Sequence, residues 1–222
     1  VILVKKGEVY MYGNKIVLDL EFTPIRDPEL QVVANSEILE IGAVKLNADN
    51  VITDEFQTYV KPQYSSIPPH ITRITGITEE TVAHAPMYAE AVMQFTEWIR
   101  SSGKSRFYTW SNSDQAVLLR EAELKEEMLH EMFYGHWVDL QRIHQRVYGF
   151  RRPMNLTSAL GSMQIYFEGT EHGALADARN TAEILLHLSN LREAQARIQN
   201  SHITYNSTES HGFSMGLVFK KR

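Results

Sequence analysis

The most constraining stretch of this chain is Lys15 to Glu21, KIVLDLE. Its β-branched, apolar run reads as a buried strand. It carries two carboxylates near its end. Side chains at i and i+2 of a strand project to the same face. Asp19 and Glu21 therefore point together, while Leu20 enters the opposite face. Buried carboxylates are costly unless they are paired or bind a metal. The alternative is that the strand simply stops there and both groups are solvated.

The surroundings indicate a mixed sheet. Ile38 to Leu46 and Val51 to Val60 read as two further strands, and the Asn47-Ala48-Asp49-Asn50 turn between them makes a hairpin. Residues 1–14 form an apolar-then-basic lead broken by Gly7 and Gly13, and residues 24–36, with two prolines, read as a loop. Ile71 to Ile77 reads as a short helical turn, with a second helix starting at Thr78-Glu79-Glu80. Val92, Phe95, Trp98 and Ile99 recur at helical spacing, and Gly103 ends that helix. Ser105 to Trp110 is a fourth strand. Ser113 is expected to cap a helix through Leu124, with more helix over 126–134 and 138–148. Asn155 is expected to cap a short helix to Met163. The longest helical pattern covers 174–198. The order β-β-β-α-β-α-α-α places helices on the faces of a mixed sheet in an α/β domain. Residues 1–199 are expected to be one domain, with its core at about 15–190, followed by a Ser-, Thr-, Asn- and His-rich tail over 200–222.

Composition excludes several classes. With 43% hydrophobic residues, the chain can build a core and is not a disordered polyelectrolyte. No apolar run approaches the ~20 residues of a membrane helix, so no membrane partner is expected. No secretory signal is visible, and the start at Val1 rather than Met points to a piece missing before it. The absence of Cys excludes disulfide frameworks, cysteine nucleophiles and thiolate zinc sites, and fits a cytoplasmic protein. With 22 Lys+Arg against 27 Asp+Glu, the net charge is −5, which argues against polyanion binding through bulk charge.

Three further acidic positions matter. In His172-Gly-Ala-Leu-Ala-Asp177, five residues at ~100° each put the two side chains about 140° apart on a helix, so His172 is placed on a loop and Asp177 in the opening turns of the last helix. From Asp177 the same face continues through Thr181, Ile184 and Leu188, which turns the carboxylate toward the sheet. The competing reading is an acidic residue placed for the helix dipole beside an incidental His. Asp114 follows the fourth strand at a helix start, where Asp is favoured anyway. Asp139 reads only as a helix-start residue.

Taken in this order, Asp19 and Glu21, then Asp114, then His172 with Asp177 resemble the DEDDh family of 3′→5′ exonucleases. Ser36 to Val44 (SEILEIGAV), Tyr59-Val60-Lys61-Pro62, Ile74-Thr75-Gly76-Ile77 and Gly173 to Ile184 fit the same family pattern, so the resemblance runs from about Lys15 to Leu188. Trp137 to Leu160 resembles the segment before the third motif of the enhanced-RNAi and histone-mRNA 3′-end exonucleases and their bacterial relatives. Departures are Phe22 where many members carry a small residue, a longer loop over 24–36, and the unmatched residues 1–14 and those after Gln199. No segment of these residues is expected to form the accessory nucleic-acid-binding domain of some eukaryotic relatives.

The resemblance implies an RNase H-like five-stranded mixed sheet with helices on both faces. It implies hydrolysis from the 3′ end of single-stranded RNA or DNA, RNA the more expected. Two Mg²⁺ or Mn²⁺ ions held by Asp19, Glu21, Asp114 and Asp177 would be the cofactors, since hard oxygen ligands suit these cations. His172 would be the general base, its ordinary pKa of ~6.5 suiting proton transfer near neutrality. A zinc-ligand role is the rival, but no second His or Cys stands near it at metal spacing. Phe22, Thr23, Ile74 and Thr75 would meet the terminal nucleotide, ordinary core packing being the alternative for Phe22 and Ile74. Arg151 and Arg152 read as a solvated pair or as phosphate contacts. Two other functions remain open: a catalytically idle scaffold that binds nucleic acid or protein, and a proofreading subunit beside a polymerase.

Overall fold

The structure, a computed structural model, describes residues 3–5, 8–10, 13–101 and 103–189. The tail expected over 200–222 and the end of the pattern over 174–198 lie outside these residues.

Five strands form the main sheet: β3 (Asn14–Pro24), β4 (Ser36–Leu46), β5 (Ile52–Tyr59), β6 (Ser105–Thr109) and β7 (Val138–Asp139), in the spatial order β5-β4-β3-β6-β7. The first three are antiparallel and β6 and β7 run parallel to β3. The expected RNase H-like order is therefore present, and its fifth strand is only two residues long. Within the lead, β1 (Leu3–Lys5) and β2 (Glu8–Tyr10) pair antiparallel as a separate two-stranded sheet.

The period of two along β3 decides what each face carries. Ile16, Leu18 and Leu20 pack with Phe95, Phe107, Leu118 and Phe133 on the side of α4 (Tyr88–Arg100) and α5 (Ser113–Leu124). Val17 packs on the other side with Leu160, Ile184 and Leu188, from α7 (Leu156–Ser162) and α8 (Ala174–Ser189). Asp19 and Glu21 share the face of Val17, so they point toward α8. On α8, Thr181, Ile184 and Leu188 are fully buried and Asp177 is half-buried, as the spacing from Asp177 requires.

Other elements differ from the sequence reading. The loop over 24–36 contains a four-residue helix, α1 (Pro28–Gln31), because Asp27 caps it by accepting from the Glu29 N–H at 2.9 Å and Pro28 sits at its first position. Asn112, not Ser113, occupies the cap of α5, without a side-chain bond. The helix expected over 126–134 reduces to a 3₁₀ turn at Glu131–Tyr134, since Glu126 takes a left-handed φ of 56° that ends α5. Residues 138–139 are strand, and α6 (Leu140–Tyr148) starts only after Asp139 caps it through the Arg142 N–H at 2.9 Å. Asn155 caps α7 as expected, accepting from the Ser158 N–H at 2.8 Å. α2 (Pro69–Thr75) and α3 (Glu79–Val82) sit over a small cluster of Leu39, Ile67, Ile77 and Val82. No helix among the described residues is long and apolar enough to cross a membrane.

Candidate active site

Four elements deliver carboxylates to one place. β3 brings Asp19 and Glu21 on its α8 side. α5 brings Asp114 in its first turn, 4% exposed, its Oδ1 accepting from the Leu20 N–H at 3.3 Å. That bond ties the start of α5 to the middle of the acidic stretch of β3. α8 brings Asp177, and the loop before it brings His172, exposed and with a left-handed φ of 62°. A non-glycine residue held in that region is strained by roughly 1–3 kcal/mol, a cost found most often at functional sites. One ligand atom from each of Glu21, His172 and Asp177 lies within 4.8 Å of the others. Asp19 and Asp114 adjoin this trio through their charges.

The fourth element, β4, was read as a strand, but the part its Glu40 plays was missed. Glu40 on β4 stands directly opposite Glu21, and like charges in that register repel. It is 2% exposed, with Oε1 accepting from the Gln57 amide at 2.6 Å and Oε2 from the Ala174 N–H at 3.1 Å. Glu40 therefore holds the first residue of α8, the helix that carries Asp177. Two residues on, Gly42 faces the same helix. A Cβ there would lie 2.1 Å from Ala174 C and Leu175 N, so only glycine lets the backbone of α8 come this close to β4. The usable signal was an acidic residue inside the apolar run ILEIGAV with a glycine two positions later, on the same face of the strand.

Electrostatics point to a cation. Burial, then Asp114, Asp177, Glu21 and Glu40, push the Asp19 carboxyl well above the usual carboxylate range. Burial and the charges of Asp177, Glu40 and Asp114 raise Glu21 to about 8. Burial takes Asp114 to about 7 against the pull of its hydrogen bonds, and Asp177 to about 6 against the pull of His172. Asp177 Oδ1 is buried with no hydrogen-bond partner. An ionised carboxylate is an acceptor only, and a buried acceptor without a donor calls for a positive charge. An all-oxygen donor set with one imidazole beside it fits a hard divalent cation.

The residues expected to meet a nucleotide divide. Ile74 is 47% exposed at the end of α2. The Thr75 hydroxyl donates to the Ile71 carbonyl and accepts from the Ile77 N–H, both at 3.0 Å. Thr23 is fully buried and its hydroxyl donates to the Ser66 carbonyl at 2.9 Å, which ties β3 to the loop before α2. Phe22 is partly buried against the α4–α5 core, as in its core-packing alternative. A buried ion network also anchors that loop. Lys125 Nζ lies 2.9 Å from Glu37 and 2.7 Å from Glu121, while Glu37 accepts from the backbone N–H groups of Gln63 at 2.7 Å and Tyr64 at 2.9 Å.

A mixed sheet in this order, with carboxylates from β3, α5 and α8 gathered beside a loop histidine, is an acidic cluster on an RNase H-like scaffold. The sequence profile of the RNase_T exonuclease family matches residues 16–185, and the chain belongs to this family. ERI1 exoribonuclease 2 of Danio rerio is 33% identical over 189 residues, which cover 75% of this chain and 33% of that protein. The 3′-5′ exonuclease Snipper of Drosophila melanogaster is 26% identical over 200 residues, covering 82% of this chain and 71% of that protein. The nuclease domain of 3′hExo, a DEDDh family member solved with rAMP, superposes with a TM-score of 0.69 at 24% identity over 83% of this chain and 93% of that one, a likeness of fold. The chain spans between 27% and 33% of the length of the ERI1 exoribonuclease 2 relatives.

Proposed function

We propose that this chain is a metal-dependent 3′→5′ exonuclease acting on single-stranded nucleic acid, RNA ahead of DNA. The reading is supported by the approach of Glu21, His172 and Asp177 within 4.8 Å of one another, by the charges of Asp19 and Asp114 beside them, and by a buried, unpartnered Asp177 oxygen. The RNA preference is supported by similarity to proteins named exoribonucleases.

The four carboxylates would hold two Mg²⁺ or Mn²⁺ ions. When bound, such cations neutralise charge on the phosphoryl group and ease the loss of a proton from water. His172 takes a proton from the attacking water at the ring nitrogen facing Glu21 and Asp177, and its exposure lets it return that proton to solvent. The new P–O bond comes from water. The bond to the 3′-oxygen of the preceding nucleotide breaks, that oxygen takes a proton from solvent to become the new 3′-hydroxyl, and the terminal residue leaves as a 5′-monophosphate. Asp114, held by the Leu20 N–H, and Asp177, seated by Glu40 through Ala174, keep their oxygens in place during the reaction. Ile74 offers an exposed apolar surface for the terminal nucleotide.

Asp177→Asn is the direct test. With Mg²⁺ or Mn²⁺, the parent should shorten a 5′-labelled single strand one nucleotide at a time and the variant should not, while keeping its circular dichroism spectrum. A variant that digests at the parent rate sinks the assignment. His172→Ala should lose roughly 10²–10⁴-fold in turnover yet still bind Mn²⁺, and unchanged turnover would remove it from proton transfer.

A further inference from the structure

The chain is acidic overall, yet positive charge collects in and after α6. Arg142, Arg146, Arg151 and Arg152 all fall within α6 and the loop after it, and all are exposed. Asp139 pairs with Arg142 at 3.3 Å. Arg146, Arg151 and Arg152 make no ion pair or hydrogen bond among the described residues. α6 buries Leu140, His144 and Tyr148 and turns Gln141, Arg142, Gln145 and Arg146 outward at i, i+4 spacing.

These side chains line two neighbouring depressions that share Pro153. A cavity of about 290 Å³ is bounded by Asn112, Arg142 and Arg146 with the carboxylate of Asp139 on Arg142, a second of about 450 Å³ by Arg151, Arg152 and Met154, and Pro153 borders both. The floor is fixed, because the Gln141 N–H donates to the Trp110 carbonyl at 2.8 Å and its side-chain amide to the Met154 carbonyl at 2.7 Å.

The position is as informative as the charge. β3, β6 and β7 are parallel and adjacent, so their C-terminal ends open on one edge of the sheet, the edge where ligands of such sheets bind. Asp19 and Glu21 lie toward that end of β3. Asn112 follows β6 two residues before Asp114, and Asp139 ends β7. Strands are ~4.8 Å apart, so the depression begins about 10 Å from the carboxylates. Phosphates of a stacked strand are spaced ~3.4 Å along its axis, which puts the arginines about three nucleotides or more from the scissile bond.

We propose that α6 and the Phe150–Met154 loop form a second nucleic-acid site, an arginine-lined groove that grips the phosphodiester backbone of the substrate upstream of its 3′ end. The inference rests on the exonuclease reading for the identity of the strand. The ligand chemistry is the phosphate oxygen: guanidinium forks match it, and the neutral amide of Asn112 adds a donor at the rim. Since the groove meets backbone, its contribution depends on strand length rather than on sequence.

The test measures binding rather than turnover, so it does not depend on catalysis. Fluorescence anisotropy of 5′-labelled oligouridylates of three and twelve nucleotides is followed in chelator, which prevents cleavage. The variant is Arg146→Gln/Arg151→Gln/Arg152→Gln, whose three side chains are exposed and whose melting temperature should equal the parent's. Its affinity for the twelve-mer should fall about 10- to 100-fold at 0.1 M salt, and the slope of log K against log salt should shrink by roughly 2, as expected for three lost phosphate contacts. Trimer affinity should stay within twofold. A control that removes the same charge elsewhere, Arg100→Gln/Lys104→Gln/Arg120→Gln, should bind the twelve-mer like the parent. Equal twelve-mer affinity in parent and groove variant overturns the proposal and would leave an acidic protein partner as the groove's occupant. An equal loss in variant and control also overturns it, by showing bulk charge alone. If the parent cleaves nothing with metal added but the length-dependent loss appears, the groove stands and the exonuclease reading fails.

Discussion

Gly42→Ala tests how the site is assembled without touching any acidic group. The added Cβ would stand 2.1 Å from Ala174 C and Leu175 N, where ordinary van der Waals contact is 3.4–4 Å. Both obstacles are backbone, so no rotamer change relieves them. The start of α8 has to retreat by more than about 1 Å, and with it go the Glu40–Ala174 bond, His172 and Asp177. Overpacking of this kind costs about 1–3 kcal/mol of stability. A 1 Å misplacement of reacting groups costs on the order of 10²-fold in rate, or about 2.7 kcal/mol of barrier. Steady-state kcat/KM on a labelled oligonucleotide and urea unfolding are measured on the same preparation. The expected result is a roughly 10²-fold drop in kcat/KM with a smaller proportional loss of folded population. Parent activity together with parent stability would show that α8 does not seat against β4 at this point, and the account of how Asp177 is positioned would fail.

Two further outcomes follow from buried charge. Glu21 at about 8 and Asp114 at about 7 hold protons in the metal-free folded chain that the unfolded chain releases. That stabilisation is present at low pH and is lost as pH rises through 7 and 8. A divalent cation replaces those protons, so the rise in melting temperature on adding Mn²⁺ should grow between pH 6 and pH 8, and a rise that shrinks over this range contradicts the site electrostatics. Lys125→Met removes the cation between Glu37 and Glu121, both fully buried. It should cost about 3 kcal/mol or more in urea unfolding, because breaking a buried pair strands its partners, and a loss under 1 kcal/mol would mean the network is not closed as described.

Much of the site was readable because its parts are local. Asp19 and Glu21 share a face by the period of a strand, and Asp177, Thr181, Ile184 and Leu188 share one by the period of a helix, so a few consecutive residues suffice. Which face of α8 meets the sheet was equally legible from its apolar spacing. Glu40 was not, because its role depends on the register that sets it against Glu21 and on the approach of Ala174, 134 residues away. Glu37 and Glu121 were hidden for the same reason, since nothing near either predicts that Lys125 closes a buried triad. The helix expected over 126–134 failed on a backbone event, the left-handed turn at Glu126, which an acidic helix-forming sequence conceals. The two-residue β7 was too short to carry any periodicity.

The most direct measurement is a crystal structure of the chain grown with Mn²⁺ and a nucleoside 5′-monophosphate, with anomalous scattering used to locate manganese. The account predicts anomalous peaks bridged by oxygens of Asp19, Glu21, Asp114 and Asp177, with the phosphate against them and His172 alongside. Manganese bound elsewhere, with these four carboxylates empty or turned apart, would contradict it.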